Sequence, residues 1–202
     1  MSFTPQAGPL DTLIKALASL PGLGPRSARR IALHLLTNKN KTLQPFIAAL
    51  SQAGEKICGC TICGNLDMSD PCQICNDPRR DKGTICVVAG VADLWAIERT
   101  GAYRGQYHIL GAVLSAMDGI GPDQLKIESL QARLDDSVVE IILALSATVD
   151  GQATAHYLTD RILIRRAELK ITRLAHGVPV GGELDYLDDG TIATALKSRA
   201  RQ

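Results

Sequence analysis

Residues 60–75 read CTICGNLDMSDPCQIC, two CxxC turns with eight residues between Cys63 and Cys72. Each CxxC turn offers two sulfurs to the same side, so Cys60, Cys63, Cys72 and Cys75 can surround one Zn²⁺ tetrahedrally. Gly64 follows the first turn, and Asp70-Pro71 leads into the second. The stretch has few large apolar residues and could not build a core alone, so a bound metal would supply its folding energy. A pair of reduced cysteine turns, a disulfide pair and an iron site of the rubredoxin type are the alternatives. Of the other two cysteines, Cys86 lies in an apolar run and reads as core. Cys58 stands one residue before the Gly59-Cys60 step, a spacing that fits the metal less well than CxxC. Four of six cysteines in metal spacing argue for a reducing cytoplasm.

N-terminal to the cysteines the pattern is helical. Leu10, Leu13, Ile14, Leu17 and Leu20 keep one face of a helix that Pro21 stops. A second helical pattern starts near Arg26 and runs through Ala28, Ile31, Ala32 and Leu35, and a third covers 42–57 with Leu43, Phe46, Ile47 and Leu50 as its apolar face. The string LPGLGPRSARRIA resembles a helix-hairpin-helix DNA-binding motif. Gly22 and Gly24 let the backbone turn tightly and approach a phosphate, and the amides opening the next helix point at the anion. Arg26, Arg29 and Arg30 add positive charge and Ser27 a hydroxyl donor. Such a device reads no base edge, so DNA binding would be sequence-tolerant and salt-sensitive. An ordinary αα-hairpin with Gly and Pro in its turn is the alternative.

The charge distribution favours DNA. The 202-residue chain has a net charge of only +1. Residues 1–56, however, hold seven Lys or Arg against two acids, whereas 57–82 hold three against four and 83–202 twelve against fifteen. The basic character belongs to the helical hairpin. Aromatic residues are 3% of the chain, too few for base-stacking platforms. The apolar runs are too short to span a bilayer, and no signal peptide opens the chain.

After the polar DPRRDKG, where Arg79 and Arg80 read as a solvated linker rather than phosphate contacts, the pattern changes. ICVVA (85–89), YHIL (107–110), VVEIILAL (138–145) and LKITRLA (169–175) read as strands. Helical stretches separate them at 91–100, from the GIGPDQL turn through Leu134, and over ATAHYLTDRILIRR. Strands alternating with helices predict a parallel sheet covered on both faces, with the first strand central and buried.

Helix-hairpin-helix, four cysteines and an α/β unit, in that order, resemble the bacterial RecR family of recombination mediators. The resemblance runs over nearly the whole chain through LPGLGPRSARRIA, CTICGNLDMSDPCQICNDPRRD, GQYHILGAVLSAMDGIGP and TRLAHGVPVGGELDYLDDGTI. It implies an α/β protein with a helix-hairpin-helix region (1–56), a four-cysteine zinc finger (57–80), a Toprim domain (81–175) and a C-terminal subunit-contact segment (176–202). It also implies a non-enzymatic, cytoplasmic, nucleoid-associated homo-oligomer, dimer to tetramer, closing as a ring on DNA. Its implied partners are RecO and RecF, with a functional link to RecA and single-strand-binding protein on gapped DNA.

Catalytic Toprim domains hold Mg²⁺ with a Glu after the first strand and a DxD pair after a later one, since hard cations need oxygen ligands. Here those positions fall on Ala89, Ser146 and Thr148, with Asp150 and Gln152 nearby. The fold therefore reads as a scaffold, with Asp150 a partner contact or structural acceptor. A Toprim nuclease or primase-like enzyme with a zinc ribbon, and an adaptor that leaves DNA to its partners, are the competing readings. His108 reads as a satisfied core histidine. His34, His156 and His176 share no spacing with a nucleophile. Asp185, Asp188 and Asp189 form an acidic loop at an expected subunit contact. The knuckle itself, slightly acidic and followed by no recognition helix, reads as a rigid joint that fixes where the arginines point.

Overall fold

The computed structural model describes residues 8–175, 185 and 187–192. The chain forms two compact units divided between Ile57 and Cys58.

The first unit holds α1 (Pro9–Ala18), α2 (Pro25–Thr37), a π-helical turn (Lys39–Leu43) and α3 (Gln44–Lys56). Leu17, Ala28 and Ala32 are buried between α1 and α2, with Leu13, Ile14 and Ile31 packed around them. Alanines at the crossing let the two backbones approach closely. α1 ends at Ala18 rather than Leu20, because Leu20 enters the turn and accepts from the Leu23 amide at 3.1 Å. The apolar face expected on α3 exists but is uncovered in the single chain: Phe46, Ile47 and Leu50 are 43%, 47% and 58% exposed, and no residue of α3 is buried.

The second unit starts with the short antiparallel pair β1 (Cys58–Gly59) and β2 (Leu66–Asp67), then α4 (Gln73–Asn76). It continues as β3 (Asp81–Val88), α5 (Val91–Glu98), β4 (Gly105–Ile109), a 3-10 turn (Pro122–Gln124), α6 (Ile127–Ala132), β5 (Glu140–Ala144), α7 (Val149–Arg165) and β6 (Lys170–Arg173). The sheet is parallel throughout, in the order β4-β3-β5-β6, with β3 central as expected. Alternation along β3 serves two cores. Ile85 and Val87 pack with Leu130, Leu158 and Ile162 from α6 and α7; Cys86 and Val88 pack with Leu94 of α5 and with the cysteine segment. No helix among the described residues is long and apolar enough to cross a membrane.

Several boundaries differ from the sequence reading, those of β3 and α6 among them. β3 begins at Asp81, inside the expected linker, because the Asp81 carboxylate accepts from the Gly83 amide and the Thr84 hydroxyl and so organises the strand's first turn of chain. The helix expected from GIGPDQL through Leu134 is broken at Leu125, which is extended. Lys126 there donates its amide to Leu110 O at 3.0 Å and its carbonyl accepts from His108 Nε2 at 2.8 Å. Tertiary hydrogen bonds to β4 outweigh local helical preference.

His108 is the satisfied core histidine expected. It is 1% exposed, its Nε2–H donates to Lys126 O and its Nδ1 faces Arg133 Nη1 at 3.4 Å. Burial pushes its pKa down to about 4. The unfolded chain takes up this proton near pH 6.5 and the native state does not, so the stability it protects is full above about pH 6.5 and falls as pH drops toward 4. Between pH 7 and pH 5 the urea midpoint should report a loss of about 2 kcal/mol from this group. His108→Gln should flatten that dependence; an unchanged pH slope in the variant would remove His108 from the account.

Candidate metal centre and nucleic-acid interface

The cysteine segment folds because its polar side chains close the two turns on each other. Asp70 Oδ1 accepts from the Thr61 amide and hydroxyl, both at 2.9 Å, tying the second turn to the first. Asp67 Oδ2 accepts from the Gln73 amide at 2.8 Å and steadies α4. Gly64 sits at φ +83°, where a Cβ would be strained and would stand 3.3 Å from the Ile109 Cβ. Sequence reading counted these acids only as charge.

The result brings Cys60, Cys63, Cys72 and Cys75 together with all four sulfurs within 4.8 Å of one another. The Cys63 and Cys72 sulfurs are 3.6 Å apart, near the edge of about 3.8 Å that a tetrahedron of Zn–S bonds requires. Backbone amides support thiolates: Asn65 N donates to Cys63 Sγ and Cys72 N to Cys60 Sγ, each at 3.4 Å. The Cys63 thiol is lowered to about 5, chiefly by a hydrogen bond from Cys75. The Cys72 thiol is pushed up to about 11 by burial, and Cys75 is raised by its bond to Cys63. One sulfur thus ionises at its neighbours' expense. A divalent cation relieves that competition, so the donor set fits zinc. Cys58 is exposed and outside the set, and Cys86 is buried, its thiol raised to about 12 by burial.

The segment belongs to the second unit. Cys63 O accepts from the Ile109 amide at 2.8 Å, and every residue of β4 is buried although β4 is an outer strand. The knuckle therefore covers a sheet edge that would otherwise expose unpaired backbone groups. Trp95 of α5 donates its Nε1–H to Asn65 Oδ1 at 3.1 Å, a second tie. Arg80, read as linker, is instead structural: it donates to Gly105 O at 3.0 Å and pairs with Glu98, whose other oxygen accepts from the Tyr107 hydroxyl at 2.8 Å. Arg79 is exposed and paired in two-pronged fashion with Asp77. Sequence reading also missed Arg133, whose guanidinium donates to Tyr107 O at 2.6 Å and to Ile62 O at 3.3 Å.

In the first unit the hairpin turn has Gly22 at φ +79°, with nothing within 4 Å of where a Cβ would lie. Gly22 is thus required by its conformation and leaves the turn open to a ligand. Gly24 caps α2 and Pro25 opens it, one residue before Arg26. The first turn of α2 contains no acid, so its amides and dipole present undiminished positive potential. Arg26, Arg29 and Arg30 are exposed and Ser27 is partly so. Arg26 and Arg30 are one helical turn apart on the same face. None of the three pairs with a carboxylate among the described residues.

At the carboxyl edge of the sheet, Val88 of β3 pairs with Ala144 of β5, which brings Ala89 and Ser146 to neighbouring strand ends. The Ser146 and Thr148 hydroxyls lie 2.8 Å apart, and Thr148 caps α7 by accepting from Gly151 N at 3.2 Å. Asp150 is half-buried in the first turn of α7, and Gln152 accepts from Arg173 at 3.0 Å. Among the described residues the four cysteines are the one cluster of three or more potential metal ligands. Of the acidic loop, Asp188 spends both oxygens on Thr191. His176 and most of the C-terminal segment lie outside the described residues.

Residues 83–175 match the family described as Toprim domain, 10–54 the RecR helix-hairpin-helix and 177–200 the RecR C-terminal family. The chain is 60% identical over 195 residues to "Recombination protein RecR" of Mesorhizobium japonicum, covering 96% of each. It is 59% identical over 198 residues to the protein of that name from Rhodopseudomonas palustris BisB5, covering 97% of this chain and 98% of the relative. It is 58% identical over 191 residues to that of Bartonella bacilliformis, covering 94% of each. The chain belongs to the RecR family. Its role is accordingly in recombination and repair. The RecR helix-hairpin-helix match contains Gly22, Gly24 and all three arginines, and the four cysteines lie between it and the Toprim match.

Proposed function

We propose that this RecR-family chain is a DNA-binding recombination mediator without catalytic activity. The observation that carries the reading is the exposed Arg26, Arg29 and Arg30 face beside an open glycine turn, which suits phosphate rather than base edges. Gly22 and Gly24 admit the backbone phosphate, Ser27 and the first amides of α2 bond it, and the arginines supply charge. Cys60, Cys63, Cys72 and Cys75 hold one structural Zn²⁺ per subunit. In this reading the domains span 1–56, 57–80, 81–175 and 176–202.

The half-exposed Phe46, Ile47 and Leu50 support assembly, since soluble chains seldom leave a contiguous apolar helix face in water. Several copies closed into a ring would place weak phosphate contacts on one duplex, and effective concentration would multiply them. In the cytoplasm, on the nucleoid, such a clamp would act with RecO, and with RecF, to let RecA replace single-strand-binding protein on gapped DNA. A non-catalytic role is supported by hydroxyls rather than carboxylates at Ser146 and Thr148, leaving Asp150 for a partner.

Light scattering tests the assembly. The protein alone should exceed the 21.6 kDa of one chain, reaching two to four times that mass, and should gain mass with DNA or with RecO. A single-chain mass that never changes with DNA would overturn the ring.

A further inference from the structure

The second unit contains a half-buried cation that no carboxylate pairs with among the described residues. Arg133 follows α6 and is most strongly affected by burial, which lowers its pKa. Its Nη1 donates its two hydrogens to Tyr107 O at 2.6 Å and Ile62 O at 3.3 Å, and His108 Nδ1, also uncharged, lies 3.4 Å from the same nitrogen. No acidic side chain pairs with it among the described residues. A guanidinium partly withdrawn from water with only neutral partners is costly to keep charged unless a nearby negative charge offsets it.

That charge is at hand. Ile62 lies within the first CxxC turn, so the guanidinium is held against the knuckle itself. Burial lowers its pKa, and the groups whose ionised forms oppose that are foremost the sulfurs of Cys75, Cys63 and Cys60, followed by the Tyr103 phenol. Four thiolates around one dication leave a centre of net charge −2. The N–H···S bonds from Asn65 and Cys72 spread that charge but do not neutralise it. His108, the other titratable group against the guanidinium, is neutral at pH 7.

We propose that Arg133 is the counter-charge of the metal centre: a half-buried guanidinium, delivered from the end of α6, that raises zinc affinity by balancing the anionic four-thiolate cluster while its hydrogen bonds to Ile62 O and Tyr107 O hold the knuckle on β4. It is a positioning residue and binds no metal itself. The two roles are separable, because charge is kept by lysine and hydrogen bonding by glutamine.

The inference rests on the zinc reading of the four cysteines, and the zinc content of the purified wild-type protein tests that reading by itself. About one zinc per chain is required; a protein that binds no zinc with measurable affinity overturns both. With zinc present, affinity is measured by competition with a chromogenic chelator for the wild type, Arg133→Lys and Arg133→Gln, with circular dichroism on the zinc-loaded proteins. Loss of a supporting outer contact typically weakens a metal by about 10–100-fold, so Arg133→Gln should fall by that amount while Arg133→Lys stays within about threefold of wild type. Should Arg133→Gln fail to fold, Arg133→Lys must still fold and bind at near wild-type affinity. Equal damage in both variants, or no loss in glutamine, overturns the proposal.

Discussion

Reversing the charge of Arg26 and Arg30 together, to glutamate, should abolish DNA binding while leaving the fold and the oligomeric mass intact. Both side chains are exposed and neither pairs with a carboxylate among the described residues, so the native state loses no contact. Changes at such positions usually move stability by less than about 0.5 kcal/mol. DNA responds differently. Each chain would exchange two attractions for two repulsions at the mouth of the proposed phosphate site, and in an assembly every copy would repeat the exchange. An affinity loss of at least about 10³-fold at moderate salt follows, measured by fluorescence anisotropy on a labelled duplex. Unaltered binding would remove the hairpin from the DNA site.

Loss of the metal centre should act on the second unit first. Cys72 is fully buried, its sulfur is 3.6 Å from that of Cys63, and its amide donates to Cys60. Cys72→Ala removes one ligand and leaves three competing thiols in an apolar setting. The knuckle then no longer covers β4, and Ile109 loses the Cys63 carbonyl. Structural zinc commonly contributes on the order of 10 kcal/mol to the folding of the segment it binds. Even a loss of about 3 kcal/mol lowers the melting temperature by about 10 °C in a chain of this size. Calorimetry and amide exchange along β4 should show it. DNA binding should fall only as folding fails; a variant that kept its melting temperature yet lost DNA would place the cysteines in the DNA site.

What sequence revealed follows from how local the cause was. The hairpin was legible because Gly22, Gly24 and Pro25 act through their own backbone. β3 and β5 were legible because burial on both faces leaves an unbroken apolar run, and the four cysteines because ligand spacing is itself the signal. The role of the knuckle as the cover of β4 was not legible, since it depends on Ile109 meeting Cys63 across the fold. Arg80 read as linker and Arg133 drew no reading; their structural roles are set by Glu98 and by Ile62, 18 and 71 positions away. The break before α6 was hidden for the same reason, because Lys126 obeys β4 rather than its neighbours in sequence.

In the proposed function the arginine face of α2 holds DNA by its phosphates. The most direct test is a salt titration of affinity for two duplexes of unrelated sequence, made on the wild type and on Arg26→Ala. The wild type should show the same steep fall for both sequences, with log K declining by about 0.9 per phosphate neutralised for each tenfold rise in salt, and Arg26→Ala should weaken both alike and flatten the slope. A slope near zero, or a marked preference for one sequence, would contradict it.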